Sequence, residues 1–158
     1  MRKRILYANA NYEEMVSKNG YFVDKTGYIE TLEDIENPIF LRPRRFGKSL
    51  WCRILECYYS ITRKDDFERL FGHTQIGRNP TPLRNSFFVL HLDFSLVDPA
   101  GSITDIEKSF NHACNLRMKT MLGFSKSWFN NKIKIDIRES AAGNLQMISA
   151  CIQENRLP

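Results

Sequence analysis

Long hydrophobic runs are what this chain most clearly lacks. Its longest clean apolar stretches, such as Phe87-Phe88-Val89-Leu90, cover four residues, against the roughly 20 that a membrane-spanning helix needs. Paired cysteines are missing too. Cys52, Cys57, Cys114 and Cys151 form no C-x-x-C unit and keep no metal-site spacing with His73, His91 or His112. They therefore read as reduced, partly buried thiols rather than as a disulfide framework or a zinc site. The six prolines and eight glycines are scattered, which leaves no low-complexity segment or flexible linker, and no internal repeat is visible. Arg2-Lys3-Arg4 opens the chain as a signal peptide would, but the apolar run Ile5-Leu6-Tyr7-Ala8 stops at Asn9, too soon for a secretory core. The expectation is a soluble, cytoplasmic protein that has no membrane partner.

What is present fits one globular domain. The chain has 158 residues, 42% of them hydrophobic and 12% aromatic, enough for a core and too few to assume two domains. Its net charge is +5 and its sequence pI is near 9.1, which suits polyanionic ligands. The distribution of that charge says more. Arg42, Arg44, Arg45 and Lys48 place four cations within seven residues. A second basic group, Lys126, Lys132, Lys134 and Arg138, is interrupted by Asp136 and reads as a solvated face.

Strand and helix patterns alternate along the chain. Helices are expected over 12–18, stopped by Asn19-Gly20, and over 25–35, with Asp24 placed to cap the first turn. Further helices are expected over 48–60, along the stripe Leu50, Trp51, Ile54, Leu55 and Tyr58, and over 65–71, ended by Gly72. Ser102 or Thr104 can cap a long helix reaching Leu122, which Gly123 ends. A last helix runs over 143–155. Strand candidates are 21–23, 39–41, 87–94 and the alternating 133–137. Residues 77–84, with Pro80 and Pro82, read as loop. The fold class this predicts is α/β, a partial sheet flanked by helices.

The most informative feature is Arg42-Pro43-Arg44-Arg45-Phe46-Gly47-Lys48-Ser49. It follows the apolar run Pro38-Ile39-Phe40-Leu41 and leads into an amphipathic helix. Strand, tight basic turn ending in Gly-Lys-Ser, then helix is the order that cradles nucleotide phosphates. Consecutive backbone N–H groups can point into one concavity there, and Gly47 allows positive φ and close approach. Lys48 can deliver its ammonium to the β- and γ-phosphates, while Ser49 offers a hydroxyl to Mg²⁺. The P-loop pattern G-x-x-x-x-G-K-[ST] wants glycine where this chain has Arg42, and Pro43 removes one N–H. Arg44 and Arg45 could compensate by contacting phosphate directly. The rival readings are a basic loop that merely opens a helix and a contact patch for a nucleic-acid backbone.

Phosphate hydrolysis also needs an acidic residue at a neighbouring strand end. Asp93 alone is so placed, but Phe94 follows it rather than a second acid, and such an aspartate more often caps a turn. Asp24-Lys25-Thr26 could approach a nucleotide or cap the following helix, and the cap is the simpler reading. Trp51, Tyr58 and Tyr59 lie at helical spacing and read as core rather than as a base-stacking platform.

Three segments together resemble the AAA-ATPase-like family of prokaryotic proteins. They are Tyr21-Phe22-Val23-Asp24-Lys25-Thr26, Phe40 through Leu50, and Leu92-Asp93-Phe94-Ser95. The family's phosphate loop reads R-P-R-R-F-G-K-S, so the resemblance makes Arg42 a family trait. It covers the chain from about Tyr12 onward. It implies a P-loop NTPase-like fold and ATP binding by Gly47, Lys48 and Ser49, with Arg44, Arg45 and Phe46 shaping the loop. The L-D-F-S strand of that family precedes an acidic Walker B strand of I-D-E-Y-D type, which nothing here matches. That lowers Asp93 as a magnesium ligand.

The family is commonly joined to a C-terminal nuclease-like domain of the PD-(D/E)XK type, also without a match, so no nuclease activity is carried over. Nucleic acid enters as a partner only through that domain. The expectation is therefore that residues 1–158 are the N-terminal part of an AAA-ATPase-like P-loop domain, ending near Pro158 before the acidic strand. Its expected ligands are ATP and Mg²⁺. Binding should be weak and hydrolysis poor or absent. The alternative is a non-catalytic nucleic-acid-binding or protein-interaction module that uses the same basic loop.

Overall fold

The computed structural model describes residues 3–7, 9–129 and 133–157. Arg2, Ala8, Lys132 and Pro158, each named above, lie outside the described residues. The chain divides into two compact units, Met1–Phe87 and Phe88–Pro158.

The first unit is a helical cluster built on α1 (Tyr12–Ser17), α2 (Tyr28–Glu33), α3 (Lys48–Tyr59), α4 (Phe67–Phe71) and α5 (Gln75–Arg78), with a 3₁₀ turn at Ile61–Asp66. Asn11 caps α1 by accepting the Glu14 N–H. Asn19, left-handed at φ 52°, ends it where Asn19-Gly20 was expected to. The stripe read along 48–60 is the inward face of α3. Ile54, Cys57 and Tyr58 are buried there against Tyr12, Leu70 and Phe71.

Aromatic contacts run through this core. Tyr58 meets Phe71 with centroids 5.5 Å apart, and Tyr12 meets Phe71 at 5.3 Å. The Tyr12 hydroxyl donates to the Leu70 carbonyl at 2.7 Å, which satisfies a polar atom that burial would otherwise penalise. Trp51 and Tyr59 pack against the same cluster, so the core reading of these aromatics holds. Burial pushes the Cys57 thiol up to about 12.

The second unit centres on α6 (Ile103–Phe124), flanked by α7 (Lys126–Phe129) and α8 (Ala141–Glu154). Ser102, one of the two capping candidates, closes a capping box with Asp105. Gly123 does not end the helix. It sits inside the last turn with nothing crowding it, and Ser125 is the C-cap. A glycine there costs only about 1 kcal/mol against alanine. The final helix begins two residues earlier than expected, because Ser140 caps it by accepting the Gly143 N–H.

Cys114, Met118, Leu122, Phe129 and Ile148 form the core of this unit. Two buried asparagines lace it. Asn144 Nδ2 donates to Asn115 Oδ1 at 2.9 Å and to the Asp136 carbonyl at 2.9 Å. Asn115 Nδ2 donates to the Glu139 carbonyl at 2.8 Å.

The α/β expectation is wrong for this structure. Of the described residues 54% are helical and 3% strand, with no sheet; the isolated bridges are Arg4 with Gly20 and Ser60 with Phe87. The partial sheet and the P-loop NTPase-like layering that depends on it are therefore absent among them. The segments read as strands carry no ladder. Ile39 is 83% exposed and Leu41 78%. Residues 133–137 are likewise without a ladder, although Ile133 and Ile135 pack on the second core. Residues 94–96 turn into a 3₁₀ helix instead of continuing the best strand candidate. The physical reason is that extended propensity is local, whereas a strand is completed only by N–H and C=O partners on another segment.

Candidate functional site

The 42–49 loop is exposed throughout, and α3 leaves from its end. Gly47 is the N-cap of α3 in the left-handed region, at φ 77° and ψ 21°. It brings no side-chain cap, so the first-turn N–H groups keep their partial positive charge at the surface. Arg45 is also left-handed, at φ 65°. Alternation of backbone hand on either side of Phe46 is the geometry that turns successive N–H groups toward one side. A Cβ placed on Gly47 would meet nothing within 4 Å, so the space against this backbone is open.

Lys48 closes the loop on itself. Its Nζ donates to the Arg42 carbonyl at 2.8 Å, which carries the ammonium across the turn. The Arg42 side chain turns away, with its guanidinium 5.4 Å from the Phe40 ring centroid and a bond to the Leu41 carbonyl at 3.2 Å. The position that departs from the general glycine pattern thus contributes a carbonyl to the loop, a role that sequence reasoning did not assign.

Beside the loop lies a cavity of about 400 Å³ lined by Arg45, Gly47, Lys48, Ser49 and Leu50 on one side and by Leu6, Tyr7, Asn9 and Ala10 on the other. Four of the six expected binding residues share this wall. Arg44 and Phe46 stand outside it, and Phe46 is 60% exposed. The 6–10 contribution was missed because Ile5-Leu6-Tyr7-Ala8 was weighed only as a secretory segment. The available signal was an apolar run too short for any such segment and containing an aromatic residue, Tyr7.

An open cavity, a left-handed glycine, a lysine ammonium and an uncapped helix start suit a phosphate-bearing ligand. For a divalent metal the wall offers the Ser49 hydroxyl and no carboxylate. Among the described residues no cluster of three His, Cys, Asp or Glu side chains could hold a metal.

Asp93 sits in the second unit and behaves as a capping residue. It caps the Phe94–Leu96 turn, accepting the Ser95 N–H at 3.0 Å, and pairs with Arg117 at 3.3 Å. The hydrogen bonds from Ser95, helped by the charge of Arg117, hold its carboxyl below the ordinary range.

Asp24-Lys25-Thr26 does cap a helix, though not the one expected. The N-cap of α2 is Gly27, without a side-chain bond. Asp24 Oδ1 instead accepts the Thr26 N–H at 2.9 Å and its hydroxyl at 2.7 Å, while Oδ2 accepts the Gln75 N–H at 2.7 Å. Thr26 Oγ1 accepts the Ile76 N–H at 3.1 Å. The two side chains supply acceptors to the first turn of α5, some fifty positions along the chain. Burial alone raises the Asp24 carboxyl, but the Thr26 and Gln75 hydrogen bonds together outweigh it and hold the group below its usual value.

The site is thus a basic turn that ends in a left-handed glycine and opens a helix beside a cavity. The chain belongs to the AAA-ATPase-like family, whose model, described as predicted AAA-ATPase, matches residues 7–156. That description suggests ATP and a divalent metal as ligands. No curated protein matches the chain, and no solved structure does. No described helix is long and apolar enough to cross a membrane.

Proposed function

We propose that the 42–49 loop is a nucleotide-binding P-loop variant that takes the phosphates of ATP in the adjoining cavity. The observation that carries this reading is the bond from Lys48 Nζ to the Arg42 carbonyl across the loop, next to the left-handed start of α3. The ammonium has only to exchange a neutral carbonyl for a phosphate oxygen, a stronger, charge-assisted acceptor. Gly47 lets the backbone approach, and the first N–H groups of α3 add donors without a competing side chain. Arg45 faces the same cavity and brings a second cation, whereas Arg44 and Phe46 shape the turn from outside its wall. Ser49 is the residue that would hold Mg²⁺, whose charge offsets that of the phosphates when bound.

The cavity wall has no carboxylate to orient or deprotonate water, so the activity proposed for these residues is binding rather than turnover. Calorimetric titration of MgATP into the full chain and into Lys48→Ala tests it. Saturable binding should weaken by about tenfold or more in the variant, as expected for one lost charge-assisted hydrogen bond. Equal affinity of the two proteins would overturn the reading. So would affinity that falls steeply with salt and depends on Arg44 as much as on Lys48, the behaviour of a nucleic-acid contact surface.

A further inference from the structure

We infer that Leu6, Tyr7 and Ala10, together with Leu50, form a seat for the purine base of the nucleotide, an inference that rests on the phosphate-loop reading above. The cavity has two chemically different walls. Arg45, Gly47, Lys48 and Ser49 provide charge and backbone donors, whereas Leu6, Tyr7, Ala10 and Leu50 provide apolar surface and one aromatic ring. Inorganic phosphate or a polyphosphate would use the first wall alone and leave the second wetted. A nucleoside phosphate uses both, and about 400 Å³ falls within the roughly 300–1,000 Å³ of small-molecule sites.

The second wall is held in place without the loop's help. Before Tyr7, the Arg4 N–H donates to the Asn19 carbonyl at 3.0 Å, and the Tyr21 N–H donates to the Arg4 carbonyl at 2.8 Å. After Tyr7, Asn9 Oδ1 accepts the Asn11 N–H at 2.7 Å and Asn9 Nδ2 donates to Glu14 at 2.9 Å. The wall is therefore formed before any ligand arrives, which lowers the ordering cost of binding. Tyr7 is 86% exposed, so its ring contributes little to the fold and is free to stack on a base. Both polar ends of the Asn9 amide are already engaged, and the other side chains here are apolar or aromatic. The base is held by stacking and apolar contact, not by reading its hydrogen-bonding edge. Adenine and guanine should be accepted alike, since an apolar pocket discriminates poorly between near-isosteres.

The test compares Mg-tripolyphosphate, MgATP and MgGTP by calorimetry on the full chain, on Tyr7→Ala and on Tyr7→Phe. Charge alone favours tripolyphosphate, so any advantage of ATP must come from the nucleoside. Wild type should bind ATP about tenfold or more tighter than tripolyphosphate, as one aromatic–base stack allows, with GTP within about tenfold of ATP. Tyr7→Ala should erase the ATP advantage and leave tripolyphosphate affinity unchanged, whereas Tyr7→Phe should retain it. Equal wild-type affinity for ATP and tripolyphosphate would overturn the base seat while leaving the phosphate loop intact. So would a Tyr7→Ala variant that changes neither ligand's affinity or weakens both alike. If wild type binds neither ligand, the phosphate-loop reading fails, and the base seat fails with it.

Discussion

Thr26→Val offers the sharpest test of how the first unit is held together. Thr26 is fully buried, its hydroxyl donating to Asp24 and accepting the Ile76 N–H at 3.1 Å. Valine has nearly the same shape, so the substitution removes the two hydrogen bonds without opening a void. The Ile76 N–H would then be buried without an acceptor, at a cost of about 1–3 kcal/mol. Asp24 loses least, because it keeps the N–H groups of Thr26 and Gln75 and remains exposed to water. The added methyl returns up to about 0.8 kcal/mol if fully buried. The net expectation is a loss of about 1–2 kcal/mol, or roughly 2–8 °C in Tm for a chain of this size. Urea unfolding followed by circular dichroism should show a lower midpoint with an unchanged slope. Hydrogen exchange at the Ile76 amide should be faster in the variant. A Thr26→Val protein within about 0.5 kcal/mol of wild type, the scatter of a surface substitution, with the Ile76 amide still protected, would refute the account.

Two further outcomes follow from the polar groups. The folded Asp24 carboxyl lies below its unfolded value of about 3.9, because its hydrogen bonds outweigh burial. Its contribution to stability is therefore complete above the unfolded value and disappears as pH falls through the folded one. Urea midpoints measured from neutral to strongly acidic pH should show a shallower acid limb in Asp24→Asn than in wild type. In the second unit, Asn115→Leu should destabilise by about 1–3 kcal/mol, since it removes the buried acceptor of Asn144 and the donor to the part-buried Glu139 carbonyl. Denaturant unfolding measures this, and a neutral Asn115→Leu would mean that the asparagine pair does not hold the 136–139 turn.

The helices were legible because their signals are local. The Leu50-Trp51-Ile54-Leu55-Tyr58 stripe, the Ser102–Asp105 capping box and the Asn19-Gly20 stop each lie within a few residues of what they specify. The loop was legible for the same reason, since Gly47 beside Lys48 and Ser49 announces a left-handed turn into a helix. Where local signals misled, a distant partner decided. Ile39-Phe40-Leu41 is extended in character yet carries no ladder, because pairing belongs to two segments and not to one. Asp24 and Thr26 are good capping residues, but only packing chooses which helix they cap, and it brings α5 to them rather than α2.

The cavity shows the same division. Its charged wall, Arg45, Gly47, Lys48 and Ser49, comes from one short stretch of sequence, whereas Leu6, Tyr7, Asn9 and Ala10 on the facing side lie some forty residues upstream. The amino-acid order was enough to specify helix faces, caps, the charge of the loop and the handedness at Gly47, since all of these are settled by neighbours along the chain. The absence of a sheet among the described residues, the destination of Asp24 and Thr26 and the wall facing Lys48 were decided only in three dimensions. Each depends on residues far apart in the chain, which meet or fail to meet only as the two buried cores form.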